Sequence, residues 1–406
     1  MKKILALLLA LCMVLALAAC GETAPAEKPA EEPAAEPAAE PAAEPAAEPA
    51  AEPAATSNIR VAMITDYGDI TDQSFNQTTY EACKEYCEGA GLDFKYYKPG
   101  SDSDDDRITM IENAIEEGFN VVVMPGYAFA PAIVATAPNY PDVTFIALDV
   151  SEYDLQDANG TAADFSWVYP ANLYSAVYQE ELCGYMAGYA AVKLGYKNLG
   201  FLGGMAVPAV IRYGYGFVQG VDAAAAELGL TDVTVNYAYG NQFYGDADIT
   251  AAMDTWYAGG TEIVFACGGG IFTSAAEAAA KVNGKVIGVD VDQAPTIDGL
   301  YGEGMTVTSA MKGLAPTVKT MLAAVQAGKF EGGKVETLGL VSENPEENYV
   351  QIPSATTQFS DTFTLEDYQA LVAKMFKGEI TVDNDITKTA ADFATVITVN
   401  DLGNLK

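Results

Sequence analysis

Histidine is absent from all 406 residues. That removes Ser-His-Asp and Cys-His nucleophile systems and every zinc site that relies on imidazole. Cations are scarce: 21 Lys and Arg stand against 56 Asp and Glu, for a formal charge of −35. Phosphate backbones are gripped by clustered Lys and Arg, so the balance excludes nucleic acid as a partner. It equally excludes adsorption to an anionic bilayer by charge. Cysteines number six, and Cys12 and Cys20 fall in the N-terminal segment. Cys83 and Cys87 are spaced i, i+4 on a predicted helix, roughly 5–6 Å apart at Cβ, too far for an unstrained disulfide. Together with Cys183 and Cys267 they read as buried small hydrophobes or free thiols. No short Cys spacing marks a metal site, and no cofactor is expected.

Half of the chain is apolar, enough for a sizeable core, and the length suits two lobes plus extras. Met1–Cys20 has a basic start at Lys2 and Lys3, an apolar run from Ile4 and small residues before Cys20. The run is short for a membrane span and reads as a secretion signal over residues 1–19. Leu17-Ala18-Ala19-Cys20 resembles a bacterial lipobox, in which the cysteine is lipidated and becomes the new N-terminus. Two acyl chains there would anchor the protein stably to the cell membrane, facing outward. Residues 20–57 carry the repeating unit Glu-Pro-Ala-Ala. Proline at every fourth position forbids a continuous helix, and the segment reads as a tether of at most ~3.1 Å per residue. Nine Glu and one Lys give this tether −8; allowing +2 for Lys2 and Lys3, Asn58–Lys406 holds −29.

From Asn58 the pattern alternates. Strands are predicted at Val61–Thr65, Phe94–Tyr97, Val121–Met124 and Thr144–Asp149, with helices at Ser74–Gly89, Asp105–Glu117 and Pro131–Ala137. A second series follows: helix Asn172–Leu194, strand Asn198–Leu202, helix Val210–Leu228, strand Thr234–Tyr239, helix Asp246–Ala258, strand Ile263–Cys267, helix Thr273–Val282 and strand Val286–Val289. Strand Thr306–Ala310 and helices Gly313–Ala327 and Thr364–Lys377 complete the expectation, and the remainder reads as irregular. Alternation of this kind means parallel sheets covered on both faces. Two tandem units predict two doubly wound lobes with a ligand cleft between them.

The organising stretch is Val61–Gln77, VAMITDYGDITDQSFNQ. A buried strand leads into a polar loop, Asp66–Asp72, and Asp72 is placed to cap a helix beginning near Gln73. That is the ligand-facing corner of open α/β sheets. Elsewhere, Ser101–Arg107 lacks the Gly and Glu of a calcium loop and reads as an acidic helix start. Gly203-Gly204 and Gly268-Gly269-Gly270 follow strands without completing Gly-x-Gly-x-x-Gly; they read as tight turns where backbone lies close to a ligand or neighbouring strand. Asp290 and Asp292 share one face if their strand persists; paired carboxylates leave a carboxylate glycosidase open as a lesser alternative.

Taken together, TDYGDITDQSFNQ (65–77), MPGYAF (124–129), YPDVTFIALD (140–149), ELCGYMAGYAA (181–191), LGFLGGM (199–205), GFVQGVDAA (216–224), GVDVDQ (288–293) and TSAMKG (308–313) resemble the basic membrane lipoprotein family of ABC-transporter substrate-binding proteins. That family includes purine nucleoside receptors. The resemblance implies a type I periplasmic-binding-protein fold: two Rossmann-like lobes and a hinge, with residues 58–168 in lobe 1, 169–294 in lobe 2, 295–337 back in lobe 1 and 338–406 back in lobe 2. It implies a monomer that hands a nucleoside, or failing that another small polar metabolite, to an ABC permease. Phe75 and Phe243 would sandwich the base. Asp66 and Asp149 would accept hydrogen bonds, Asp290 would take the ribose hydroxyls, and Lys312 would donate to the ligand and hold the acids. Ser74, Asn76 and Gly268 would line the cleft. Two stretches depart from the family pattern: Tyr67-Gly68-Asp69 after the first aspartate, and GNQFYGD around Phe243.

Overall fold

Continuous apolar runs make the central strands. VAMI, VVVMP, TFIAL and IVFAC are buried on both faces, the mark of parallel strands covered by helices. A computed structural model describes residues 59–66 and 68–406 of the chain. The signal segment, Cys20, the Glu-Pro-Ala-Ala tether and Tyr67 lie outside the described residues.

The first series runs β1 (Arg60–Ile64), α1 (Phe75–Ala90), β2 (Asp93–Tyr97), α2 (Asp104–Glu116), β3 (Val121–Pro125), α3 (Ala130–Thr136), β4 (Thr144–Leu148), α4 (Glu152–Ala158) and β5 (Leu173–Tyr178). The second runs α5 (Glu180–Lys193), β6 (Asn198–Gly203), α6 (Pro208–Leu228), β7 (Thr234–Tyr239), α7 (Ala247–Ala258), β8 (Ile263–Cys267), α8 (Phe272–Ala280), β9 (Lys285–Asp290), α9 (Ala294–Tyr301) and β10 (Thr306–Lys312). There follow α10 (Leu314–Gln326), β11 (Lys334–Leu338), β12 (Val350–Gln351), α11 (Leu365–Phe376) and β13 (Thr398–Asn404). One sheet has the order β11-β5-β4-β3-β1-β2 and the other β12-β10-β9-β8-β6-β7-β13. All pairings are parallel except β12 against β10. The mixed α/β class with two doubly wound sheets is as the sequence implies.

Three expectations need correction. Asn172–Leu194 is not one helix: its first half is β5, the chain turns at Gln179, and only Glu180–Lys193 is helical. A strand buried on both faces lacks the two-residue alternation that would have separated it from a buried helix. The boundary at 168/169 therefore falls too early, because β5 pairs with β4 in the first sheet. The boundary at 294/295 also fails, because β10 pairs with β9 and stays in the second sheet. The chain returns to the first lobe only at α10, which packs on α1. Thus the lobes are joined at Tyr178–Glu180, Lys312–Leu314 and Leu338–Val350. These crossings are tied to one another: Gln179 N–H donates to Leu338 O at 3.0 Å and Gly313 N–H to Tyr349 O at 2.7 Å, while Tyr349 N–H to Gly339 O at 3.0 Å closes the third crossing on itself.

One apolar cluster runs through both lobes, including Met63, Tyr178, Met186 and Phe201. The other sheet faces have separate cores, around Phe129 and Phe145 in the first lobe and Phe272 and Trp256 in the second. The close pair α5–α6 explains two of the quoted motifs. A Cβ on Gly184 or Gly188 would lie 2.3 Å from Tyr213 O or 2.2 Å from Phe217 O; one on Gly216 or Gly220 would lie 2.0 Å from Glu181 O or 2.1 Å from Tyr185 O. Only glycine lets the two backbones approach so far. This crossing seats Glu180 at the start of α5, beside the hinge.

Candidate functional site

In both sheets the strand order reverses beside the first strand of the unit, between β1 and β3 and between β6 and β8. At such switch points the loops part and leave a crevice beyond the carboxyl ends of the strands. Here the two crevices face one cavity of about 500 Å³. Asp66, Phe75, Asn76, Asp149, Phe243, Gly268, Asp290 and Lys312 all line it. Ser74 does not; it sits behind, bonded to Asp290.

The first-lobe wall is built by Asp72. Its carboxylate accepts from the N–H groups of Ser74, Asn76 and Gln77 and from the Asn76 amide, at 2.9–3.0 Å. It thereby satisfies the open end of α1, as expected, although the helix begins two residues later at Phe75. Burial raises the Asp72 carboxyl and the backbone donors oppose that shift. The cap holds Phe75 and Asn76 at the cavity wall. Asp66 accepts from Gly68 N–H at 2.8 Å. A Cβ on Gly126, at the end of β3, would lie 2.8 Å from an Asp66 carboxylate oxygen, so glycine there makes room for the acid.

The second-lobe wall is built of glycine. Gly204 N–H donates to Cys267 O at 2.8 Å, drawing the loops after β6 and β8 together. A Cβ on Gly204 would stand 2.4 Å from the Phe243 ring, and one on Gly268 would stand 2.9 Å from the Gly204 backbone and 3.1 Å from the ring. The two glycine turns are therefore the seat on which Phe243 lies.

Charge is concentrated at the junction of the lobes. Lys312, the last residue of β10, is 6% exposed. Its ammonium pairs with Asp149 and lies 3.5 Å from Glu180 and 3.6 Å from Asp290. It also sits 4.7 Å from the centre of the Phe75 ring. Burial alone would lower the lysine, but the carboxylates of Asp149, Asp290 and Glu180 outweigh it and hold the pKa above its ordinary value. Burial pushes the Asp149 carboxyl up to about 6, against the pull of Lys312. Its second oxygen is buried without a hydrogen-bond partner, as is the Asn76 amide oxygen. Asp149 and Asp290 both have positive φ, 59° and 66°, a region that aspartate enters more readily than most residues. Fully buried Glu180 also takes Arg212 Nε at 2.7 Å.

The two walls touch. Ser74 Oγ donates to Asp290 at 2.6 Å, and Gln293 Nε2 donates to Gln73 O at 3.0 Å. Both bonds run from lobe to lobe.

The Bmp family, described as "ABC transporter substrate-binding protein PnrA-like", matches residues 59–385. The chain belongs to this family. It is 26% identical over 323 residues to the ABC transporter nucleoside-binding protein BmpA of Lactococcus lactis subsp. cremoris, covering 75% of this chain and 85% of that protein. The solute-binding protein structures from Conexibacter woesei and Aeropyrum pernix K1 share the fold: each has TM-score 0.60, with 23% and 20% identity. They cover 80% of this chain and 99% of the first structure, and 82% of this chain and 90% of the second.

As a Bmp protein the chain is a substrate-binding protein of an ABC transporter and not an enzyme, which disposes of the glycosidase alternative. Binding proteins of ABC importers work outside the cytoplasm; among the described residues no helix is long and apolar enough to cross a membrane. For such a protein the site has members that sequence reasoning missed. Glu180 and Tyr213 lie beside Lys312, and Arg212 pairs with Glu180, yet they sit on two helices whose spacing in sequence carries no signal of contact. Asp72 reads in the sequence as a cap alone, yet it also lines the cavity. Asp292, paired with Asp290 by alternation, instead turns away to accept from Thr356 and the Ala294 N–H, because the strand ends at Asp290.

Proposed function

We propose that this chain is a receptor for nucleosides, purine nucleosides above all, and that it delivers them as a monomer to an ABC permease. The observation that carries the reading is that Phe75 and Phe243, from opposite lobes, border the same cavity as Asp66, Asp149, Asp290 and Lys312. An aromatic wall suits a flat base, and stacking contributes on the order of 1–3 kcal/mol. The carboxylates suit hydroxyl and amine donors. Charge-assisted bonds to a neutral ligand are strong, and an analogue that lacks the matching hydroxyl leaves a buried charge unpaired. Asp290 takes the ribose hydroxyls, while Asp66 and Asp149 accept from the remaining donors. Lys312 donates to the ligand and keeps the acids together. Ser74, Asn76 and Gly268 complete the lining. The nucleoside-binding relative from Lactococcus supports the ligand class. Lipidation at Cys20 would tether the protein to the membrane beside its permease.

Thermal shift against nucleosides, free bases, ribose and nucleotides tests the reading. Ligand at about 100 times its dissociation constant adds roughly 2.7 kcal/mol, which moves the midpoint by several degrees. Stabilisation by guanosine, adenosine or inosine, with none from ribose or bases alone, is the expected result. Stabilisation only by some other polar metabolite would keep the receptor and discard the nucleoside.

A further inference from the structure

The family match ends at residue 385, and the residues that follow are built into the second lobe. Asp222, buried on α6, accepts from Thr395 N–H and Oγ1 at 2.7 and 2.6 Å, from Val396 N–H at 2.8 Å and from Ile397 N–H at 3.3 Å. Tyr215, two turns earlier on the same helix face, donates to Lys388 O at 2.6 Å and packs on Phe393, ring centres 5.0 Å apart. With this run anchored, β13 pairs in parallel with β7 and becomes the edge of the second sheet.

What the added strand reaches is the Phe243 loop. Leu405 N–H donates to Tyr239 O at 2.8 Å, where β7 ends. Lys406 donates to Gln242 Oε1 at 3.0 Å and forms an ion pair with Asp246. Gln242 in turn donates to Tyr244 O at 2.8 Å and to Asp246 at 3.0 Å. Lys406, Gln242 and Asp246 therefore close a clasp across the arc Gln242–Asp246, which carries Phe243. The opposite side of that arc rests on the glycine turns. The arc is also where GNQFYGD departs from the family pattern.

We infer that residues 386–406 are a strap that positions the Phe243 loop, a positioning element lying outside the family match. Its effect on ligand affinity rests on the nucleoside reading above; its effect on the loop does not.

Amide hydrogen exchange of the ligand-free full chain tests the strap directly. Lys406→Glu sets a negative charge against Asp246, and Leu405→Pro removes the N–H that bonds Tyr239. Exchange at residues 241–245 should quicken roughly threefold or more, while β6 and β8 exchange as before. Unchanged exchange in both variants overturns the strap, whether or not guanosine binds. Calorimetry with guanosine supplies the second readout. Lys406→Glu should weaken binding about threefold in the native background and produce no further loss in a Phe243→Ala background. An equal loss in both backgrounds would overturn positioning through Phe243. Absence of binding of guanosine, adenosine and inosine alike by the native protein would sink the nucleoside reading, with the exchange result still deciding the strap.

Discussion

The ammonium of Lys312, ending a strand of the second sheet, is bonded to the carboxylate of Asp149, which follows a strand of the first. This pair lies at one of the three crossings between lobes, within 3.6 Å of Glu180 and Asp290. The same buried cation thus serves the cleft and the hinge.

Removing that cation should be costly. Lys312→Met leaves three carboxylates facing one another, and breaking a buried pair costs roughly 3–5 kcal/mol. The loss should be smaller at pH 5 than at pH 8. Lys312 opposes the rise that burial gives the Asp149 carboxyl; without the lysine that carboxyl holds its proton where the unfolded chain has released it, so folded stability falls as pH rises. Thermal denaturation at both pH values checks this, and an equal loss at both would contradict the cluster as described.

Glu181 offers a second pH test. Burial, with Glu180 adding to it, pushes its carboxyl up to about 7. A carboxyl raised in the folded state stabilises fully below its unfolded pKa, and that contribution is lost as pH rises towards 7. Glu181→Gln has nothing to titrate. Its stability relative to the native protein should therefore climb between about pH 4.5 and 7 and then level off. Parallel denaturation curves across that range would remove Glu181 from the account.

Ser74 and Asp290 form a latch between lobes. Ser74→Ala deletes a hydrogen bond to a charged group, worth about 1.5–3 kcal/mol, without opening either core. Nucleoside affinity should fall about tenfold or more, and the ligand-free radius of gyration from small-angle scattering should rise. Asp290→Asn is the companion variant, since Asn tolerates the positive φ there; it should abolish binding with the fold retained. Native affinity in both would refute the latch and the ribose assignment together.

Gly204→Ala places a methyl 2.4 Å from the Phe243 ring, and the ring must leave its seat. Stacking of this order contributes roughly 1–3 kcal/mol, so affinity for a purine nucleoside should drop about tenfold while ribose stays unbound. A crystal structure of the variant with Phe243 unmoved would defeat the prediction.

Much of this was legible along the chain. The apolar runs that became β1, β3, β4 and β8 announced a parallel sheet, because burial on both faces demands apolar residues at every position. Asp72 was recognisable as a cap because capping is local. Phe75, Asp290 and Lys312 stood out at strand and loop ends, whereas Asp66, Asp149 and Phe243 were named as site residues only through the resemblance to the family. Less visible were the strands at sheet edges. β11, KVETL, is mostly half-buried and β13, TVNDLGN, largely exposed, and an edge strand open to solvent needs no continuous apolar pattern. β5 was hidden for the opposite reason, being buried on both faces.

The sequence by itself determined the elements with local causes: strand runs, the Asp72 cap, the glycine turns and the surplus of acid. Tertiary structure alone decided which acids share Lys312, that Glu180 and Arg212 join them, and that residues 386–406 reach the Phe243 loop. Those contacts join positions 22 to 164 residues apart. No local propensity encodes such pairings; they arise when the sheets register, α5 and α6 close at their glycines, and buried charges must find partners.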